Sequence, residues 1–529
     1  MKIRIEINTG FKQALSAIES GQSVFITGRA GTGKSTLLEY FRGITKKKIA
    51  VLAPTGVAAL NVRGVTIHSF FGFKPDITVE KAKKKAKRIA KEGGENKTLY
   101  QTVECFVIDE VSMVRADLLD CVDVFLRIVR AKSSAPFGGA QMVFIGDLYQ
   151  LPPVVGSNER AIFRERYKSP YFFSAHACEN FPMEYVELEK IYRQSDDAFI
   201  GLLNSIRNRT VCDEDLSFLA SRVNPSFEPP RNQLWIALTP TNDAATKINA
   251  VRLRELSGKT QTYHAHTSGS FEQQQAPTER DLSLKVGAQV MLVNNDSAGR
   301  WVNGTIARVT ALEPSFKGDA DAIRVKLPDG SVEDILPYTW DLFSYEYNSN
   351  TQSLDTRTIG SFTQYPLRLA WAVTIHKSQG KTFDRVIIDM DRGAFAHGQT
   401  YVALSRCRTL AGIVLKKPIE KKHIILDWRV MDFVTHYQYK KSEEALSLDK
   451  KIKMIEGAIA MRRPLSITYL KKQDVKSRRT VTPRMVGEME YEDTSFLGME
   501  AYCHSRRDTR VFRVDRILEI AFAQEVWTK

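Results

Sequence analysis

Eight residues near the start of the chain, Gly28 to Ser35 (GRAGTGKS), have the composition that a phosphate group needs around it. Glycines let successive backbone amides turn inward onto phosphate oxygens, and a helix starting behind them adds a favourable dipole. Lys34 is spaced to reach the β- and γ-phosphates of a nucleotide, and the Ser35 hydroxyl is suited to Mg²⁺. Gly31, Thr32, Gly33 and Thr36 complete the expected cradle. The strand-like run SVFIT (Ser23–Thr27) before the loop separates this spacing from a chance Gly-rich turn. A second chemical element is FVIDE, Phe106–Glu110. Asp109 ends an apolar run, where a Mg²⁺-holding carboxylate belongs, and Glu110 follows where it can polarise a water. Acidic pairs end many buried strands, but this one accompanies a phosphate loop. Together they point to nucleotide hydrolysis rather than kinase chemistry.

The surrounding pattern supplies the scaffold. Phe11, Ala14, Leu15 and Ile18 recur at helical spacing. Strand-like runs follow at Lys48–Pro54, Cys105–Asp109 and Gln141–Asp147, separated by helical stretches, which implies a parallel sheet covered on both faces. Between the second and third runs, seven Lys or Arg fall within Lys81–Lys91. They read either as a solvated helix or loop or as an arm over a nucleic-acid backbone. Residues from about Leu256 to Tyr365 are rich in Gly, Thr and Val, as expected of a small β-barrel inserted in a second α/β unit. A polar, Lys-rich linker and a final module of about 80 residues end the chain.

Composition narrows the classes. With 529 residues, about three or four domains are expected at roughly 150 each. Lys plus Arg is 76 and Asp plus Glu is 61, a net charge of +15 that favours an acidic partner such as nucleic acid. The six cysteines are scattered without a C-x-x-C, which excludes a disulfide scaffold, argues against a zinc site and fits a reducing cytoplasm. The longest apolar runs are strand-sized, so no spanning helix is expected, and MKIRIEINTGFKQAL lacks a signal-peptide core.

Further motifs follow in order: APTGVAAL (Ala53–Leu60), TIHSFFGF (Thr66–Phe73), GDLYQLPPV (Gly146–Val154), ELEKIYRQSD (Glu187–Asp196), ALTPTNDAATKIN (Ala237–Asn249), AWAVTIHKSQGKTFD (Ala370–Asp384) and QTYVALSRCRT (Gln399–Thr409). With these, about residues 10–425 resemble the PIF family of superfamily 1 DNA helicases, relatives of RecD. The resemblance implies an α/β fold of two RecA-like P-loop motor domains, with an SH3-like β-barrel inserted in the second. It also implies ATP and Mg²⁺ as cofactors, 5′-to-3′ movement on single-stranded DNA, and forked or structured DNA as substrate. Gln150 would sense the γ-phosphate, Arg193 and Arg406 would be arginine fingers, and Gln379 and Gly380 would meet the triphosphate. The family's adenine-reading glutamine has Gln13 as its nearest counterpart, closer to the phosphate loop than the usual pattern.

DNA contacts are expected from Thr55, Gly56, His68, Phe70, Phe71, Asn242, Thr374, His376 and Lys377. Phe70 and Phe71 read equally as core residues, and the two histidines also as structural donors. LKVGAQVMLVNND (Leu284–Asp296) and WVNGTIARV (Trp301–Val309) resemble the family's barrel signature, with Asn303–Gly304 suiting a hairpin.

SITYL (Ser466–Leu470), RRTVTPRMV (Arg478–Val486), SFLGMEAYCHSR (Ser495–Arg506) and TRVFRVDRI (Thr509–Ile517) resemble a WYL domain, a small β-barrel. Ser495, Phe496 and Leu497 replace the name-giving triplet. Its arginines, Arg506 and Arg513 foremost, suit a nucleic-acid or nucleotide-like ligand, and Tyr469, Phe496 and Tyr502 suit stacking; a packing module with solvated arginines is the alternative. The expected layout is 1–184 for the first motor domain with a basic insertion near 74–98, 185–430 for the second with its barrel near 256–365, 431–453 as linker and 454–529 as WYL domain. A cytoplasmic monomeric helicase is the leading expectation. A phosphate-loop switch without translocation, and a nuclease-linked motor, stand beside it.

Overall fold

The computed structural model describes residues 7–156, 159–194, 196–271, 276–313, 321–348, 351, 353–390, 393–394, 396–471, 475–491 and 494–523. It falls into two compact units, Met1–Arg207 with Val211–Ile425, and Asn208–Thr210 with Leu426–Lys529.

The first unit opens with α1 (Thr9–Glu19), β1 (Val24–Gly28), α2 (Lys34–Ile44), β2 (Ile49–Ala53), α3 (Gly56–Asn61), β3 (Val65–Thr66) and α4 (Ile67–Phe71). Then come α5 (Val79–Glu92), α6 (Gly94–Thr102), β4 (Cys105–Ile108), α7 (Ala116–Val129), β5 (Gln141–Ile145), α8 (Arg160–Arg166) and β6 (Glu184–Leu188). The six strands are parallel, in the order β3-β2-β4-β5-β1-β6. Every residue of β1, β4 and β5 is buried, as in a sheet covered on both faces. Phe11, Leu15 and Ile18 of α1 and Leu37, Leu38 and Phe41 of α2 pack on Val24, Ile26, Val107 and Val143. Each such apolar side chain contributes roughly 1.5–3 kcal/mol by burial. The first sheet extends past residue 184, where the sequence suggests a boundary. The run EYVEL is β6, paired with β1 from Val24↔Glu184 to Gly28↔Leu188, because Tyr185, Val186 and Leu188 bury against this sheet's own core.

A second parallel sheet follows α9 (Asp197–Arg207) and α10 (Asp213–Ala220). It begins with β7 (Ile236–Thr239) and α11 (Asn242–Glu255) and is then interrupted. The interruption holds β8 (Gln261–His264), β9 (His266–Gly269), β10 (Asp281–Leu284), β11 (Gln289–Leu292), β12 (Ile306–Glu313), β13 (Ala322–Lys326), β14 (Val332–Ile335), β15 (Tyr338–Asn348), β16 (Ser353–Gln364) and β17 (Leu367–Leu369). These form an antiparallel sheet β14-β13-β12-β11-β17, a pair β10-β8 and a three-stranded sheet β15-β16-β9. Leu282, Val290, Trp301, Val309, Val325 and Leu367 share one core. The second sheet resumes with β18 (Ala372–Thr374), β19 (Val386–Ile388), α12 (Gln399–Leu404) and β20 (Ile413–Leu415), in the order β18-β7-β19-β20.

The second unit contains α13 (Trp428–Ala445), α14 (Leu448–Ala460) and β21 (Leu465–Lys471), β22 (Val475–Tyr491), β23 (Thr494–Cys503), β24 (Asp508–Arg513) and β25 (Ile517–Phe522). The strands are antiparallel, in the order β24-β23-β22-β21-β25. Among the described residues no ladder joins β24 to β25, and residues 524–529 of the expected module lie outside the described residues. The expected linker 431–453 is helical instead. Val430, Val434, Gln438 and Ser442 recur every fourth residue and are buried. Ser442 Oγ donates to Leu518 O (2.7 Å) and accepts from the buried Lys451 Nζ (2.7 Å). Lysine-rich composition and the two polar members hide this buried row.

Candidate nucleotide and nucleic-acid site

The phosphate loop bends where glycine alone is comfortable. Gly31 and Gly33 sit at φ 84° and 85°. A Cβ on Gly31 would stand 2.5 Å from Cβ of Arg193, so the close approach of the segment after β6 to the loop is built around a missing side chain. Lys34 Nζ donates to the carbonyls of Gly28 (2.7 Å) and Arg29 (3.1 Å). Burial lowers its pKa, against the pull of Asp147 and Glu110. Ser35 and Thr36 are exposed on the first turn of α2. Thr32 is buried, and its hydroxyl donates to Arg29 O (2.9 Å), so this side chain shapes the loop.

The two carboxylates stand at the end of β4. Asp109 is 7% exposed, and burial first, then Glu110, raises its pKa to about 7. Burial likewise raises Glu110, with Lys34 and Arg406 opposing. Glu110 adopts φ 50°, a left-handed conformation that costs a non-glycine residue and marks functional turns. Its carboxylate accepts from Gln379 Nε2 at 3.0 Å, across from the first sheet to the loop after β18. The reverse crossing is made by Arg193, whose guanidinium donates to Ser405 O (3.4 Å) and Gly380 O (3.3 Å). Arg406 is 1% exposed; burial, then the charge of Arg193, lowers its pKa to about 9. It is held by Val402 O (2.9 Å) and Ser405 Oγ (2.8 Å). Lys34, Asp109, Glu110, Arg193, Gln379, Gly380 and Arg406 are therefore brought together.

Gln150 joins them through a residue that sequence reasoning missed. Its Nε2 donates to Asp147 Oδ2 (3.0 Å), and Asp147 also pairs with Arg207 (3.7 Å), whose guanidinium lies 3.7 Å from the Tyr149 ring centroid. Asp147 follows the apolar run QMVFIG much as Asp109 follows CFVI, a signal open to the same reading. Tyr401 was also missed; its hydroxyl accepts from Ala30 N in the phosphate loop (3.0 Å). Gln13 lies exposed on α1. Beside the loop stand instead Phe11, 3.2 Å from a Cβ on Gly33, and Asn8, which donates to Tyr192 Oη (3.0 Å).

The expected DNA contacts divide. Thr55 is exposed, capping α3 by accepting from Ala58 N (3.2 Å), and Gly56 opens that helix. Asn242 opens α11 and is exposed. Lys377 is exposed, while His68 and His376 are half-buried with pKa values lowered by burial. Three residues are corrected. Phe70 (7% exposed) and Phe71 (0%) belong to the core, packed with Tyr100, Phe106 and Phe125, so neither offers a face to a base. Ile67, Phe70 and Phe71 are spaced i, i+3, i+4, which turns them to the inner face of α4. Thr374 is 4% exposed, and its hydroxyl accepts from Lys377 N (3.2 Å) to close a turn. The Asn303–Gly304 turn, with Gly304 at φ 103°, does more than reverse the chain. Asn303 donates to Asn61 Oδ1 at the end of α3 (3.0 Å) and accepts from Lys381 Nζ (2.7 Å).

In the C-terminal unit Arg506 is exposed without an ion pair among the described residues, whereas Arg513 is paired with Asp515 (2.7 Å) over the Phe496 ring (5.3 Å). Arg479 lies over Phe512, against which Tyr469 packs edge-on at 5.2 Å. Burial lowers the Lys471 pKa, and Arg479, Arg506 and Arg510 push it the same way, so these four cations share one region.

A family model described as PIF1-like helicase matches residues 6–216, and a UvrD-like helicase C-terminal domain matches residues 369–414. An ATP-dependent DNA helicase Pif1 from Bdellovibrio bacteriovorus is 32% identical over 446 residues, covering 82% of this chain and 93% of that one. This chain belongs to the PIF1-like helicase family. Bacteroides sp Pif1, solved in complex with ADP-AlF4, superposes with a TM-score of 0.74 at 37% identity, covering 82% of this chain and 98% of that one. The fold is accordingly the family's α/β fold, a RecA-like parallel-sheet core with extra β domains. The ATP-dependent DNA helicase PIF1 of Danio rerio is 34% identical, over 79% of this chain and 65% of its own length. The chain thus spans less than two thirds of that relative, as it does of the Homo sapiens one (59%). A WYL domain model matches residues 450–522. No helix among the described residues is long and apolar enough to cross a membrane.

Proposed function

We propose that the chain is an ATP-dependent DNA helicase that moves 5′-to-3′ on single-stranded DNA and opens duplex, forked or structured DNA. The observation that carries this reading is the double crossing of the cleft. Gln379 of one half holds Glu110 of the other, and Arg193 reaches back to Gly380 and Ser405. A site split between two sheets makes hydrolysis and relative movement of the halves one event. A plain phosphate-loop switch has no need of two arginines, Arg406 buried and Arg193 half-buried, from opposite sides.

In this reading Gly31, Thr32, Gly33, Lys34, Ser35 and Thr36 take the triphosphate, with Gln379 and Gly380 closing from the second half. The donor set suits Mg²⁺: an exposed hydroxyl at Ser35 and a buried carboxylate at Asp109 that gains from a neighbouring cation. The ion would neutralise charge on the phosphates. Glu110 orients and polarises the attacking water, freed from Gln379 as the cleft rearranges. Arg193 and Arg406 stabilise charge on the γ-phosphoryl group, and Gln150, fixed by Asp147, reports its presence. Thr55, Gly56, His68, Asn242, His376 and Lys377 hold the DNA strand. The interrupting strands close as an SH3-like barrel and the C-terminal strands as a WYL barrel whose Arg506 region binds nucleic acid or a nucleotide-like ligand. The layout is a first motor domain to about residue 190, a second to about 425, and an accessory unit beyond.

Unwinding of 5′-tailed against 3′-tailed duplexes tests the reading, with ATP hydrolysis followed with and without single-stranded DNA. Strong stimulation and a 5′-tail requirement are expected. Preference for a 3′ tail would overturn the direction, and hydrolysis indifferent to DNA would overturn the motor.

A further inference from the structure

Helix α5 lies in the segment between β3 and β4 and has two unlike faces. Ala82, Ala86 and Ile89 are buried, facing α7. Lys81, Lys83, Lys84, Lys87, Arg88 and Lys91 are all exposed on the other side. At 100° per residue, Lys83, Lys87 and Lys91 form one row along the helix and Lys84 and Arg88 the next. Lys81 is paired with Asp76 and Arg88 with Glu92. Lys83, Lys84, Lys87 and Lys91 have no ion pair among the described residues.

A helix kept merely soluble would alternate Glu and Lys at i, i+4, because such pairs stabilise and like pairs destabilise. Here Lys83–Lys87, Lys84–Arg88 and Lys87–Lys91 are like pairs, and the helix tolerates them because its ends and flank are fixed. Thr78 caps the start by accepting from Lys81 N (3.3 Å), Gly93 ends it at φ 69°, and Lys85 Nζ donates to Gly72 O just past α4. The positive face is thus held rigidly to the α4 segment that carries His68.

The face contains no aromatic residue. Single-stranded nucleic acid is held by cations interleaved with stacking rings, whereas a duplex backbone needs cations alone. Members of the lysine row are separated by four residues, about 6 Å of helix rise. Alternate phosphates of one DNA strand are separated by about 7 Å along the duplex axis. Lysine is a point charge without the planar fork that reads base edges, so the contact is sequence-independent.

We propose that α5 is a rail for duplex DNA, in which Lys83, Lys84, Lys87 and Lys91 hold the phosphate backbone of the double-stranded arm ahead of the strand being translocated. This rests on the helicase reading and adds the duplex partner to it.

The test replaces all four lysines by glutamine, which keeps helix propensity close to that of lysine. Binding of the intact and altered full chain to a blunt duplex, a single strand and a 5′-tailed fork is measured across 50–200 mM salt. Four lost B-DNA phosphate contacts would make the duplex salt slope shallower by about 3 to 4 and weaken fork binding at low salt roughly tenfold or more. Affinity for the single strand and single-strand-stimulated ATP hydrolysis should stay unchanged. An unchanged duplex slope overturns the proposal, as does an equal loss on the single strand, which would give the face to the tracked strand instead. Single-strand stimulation of the unaltered protein is read separately, so failure of the motor reading is told apart from failure of the rail. Charge reversal of Lys83 and Lys87 alone, with circular dichroism to check the helix, should give about half the slope change.

Discussion

The nucleotide cleft and the C-terminal sheet are both rich in arginine, yet they treat it differently. In the cleft, Arg406 is 1% exposed, hydrogen-bonded by its own helix and answered by Glu110. In the C-terminal sheet, Arg506 stands in solvent and Arg513 meets the carboxylate two residues away. A charge in a low-dielectric cleft acts strongly on whatever charge develops nearby, whereas an exposed one is screened within about 10 Å at 0.1 M salt. The first arrangement fits chemistry and the second fits salt-sensitive binding.

The largest expected effect lies in the cleft. Arg406→Ala should lower DNA-stimulated hydrolysis by roughly 10³-fold or more, the range for arginine fingers in other phosphate-loop enzymes. Glu110→Gln and Lys34→Ala should each abolish unwinding, with Glu110→Gln still binding ATP. Single-turnover hydrolysis with nucleotide binding measured in parallel checks these. Native-rate hydrolysis by Glu110→Gln would remove it from the reaction.

Aromatic residues sharpen the same contrast. Phe71→Ala should destabilise the fold by about 3–5 kcal/mol, the usual loss for a buried phenylalanine. Phe496, half-buried beneath Arg513, should cost far less on truncation. Urea unfolding gives both values. A native-like midpoint for Phe71→Ala, together with lost DNA affinity, would return Phe71 to the DNA surface.

This difference also decides what could be read before folding. The phosphate loop and the acidic pair are local patterns whose chemistry depends on a few adjacent residues. Both lie where the strands place them, and Asp147 was open to the same reading. Tyr401 and Asn303 act through partners 371 and 242 residues away in sequence, so local spacing says nothing of them. Phe70 and Phe71 carried a helical signal for burial that competed with their aromatic character. The segment 431–453 hid a buried row at four-residue spacing, Val430, Val434, Gln438 and Ser442, because half of that row is polar and the sequence around it is lysine-rich.

A third test concerns Lys381, a cation with no carboxylate ion pair among the described residues. Lys381 donates to Asn303, and burial, with Arg368 adding, lowers its pKa to about 8. The unfolded value is about 10.4. Between the two the unfolded chain binds more protons than the folded one, so stability rises with pH across that window. Below about pH 8 both states are protonated, and this contribution no longer varies. Lys381→Met should therefore gain less stability than the unaltered protein on moving from pH 8 to 10. Denaturant midpoints at both pH values measure this, and equal gains would mean that Lys381 stays charged in the fold.

The smallest expected effect tests the C-terminal sheet. Arg506 and Arg513 are alike in sequence, but only Arg513 has its charge answered locally, with Asp515 at 2.7 Å. If this surface holds single-stranded DNA, Arg506→Gln should make the salt slope shallower by about 0.7, one phosphate contact. Arg513→Gln should change it by less, because releasing Arg513 to a phosphate would leave Asp515 facing the same backbone. The two variants should unfold at similar denaturant concentrations, since both side chains lie toward the solvent and exposed ion pairs contribute about 0–1 kcal/mol. Equal slope changes would mean that the Arg513–Asp515 pair opens on binding and that both arginines reach DNA. No change in either would leave the basic region of this sheet as solvated charge, and the contrast with the cleft would then be one of burial alone.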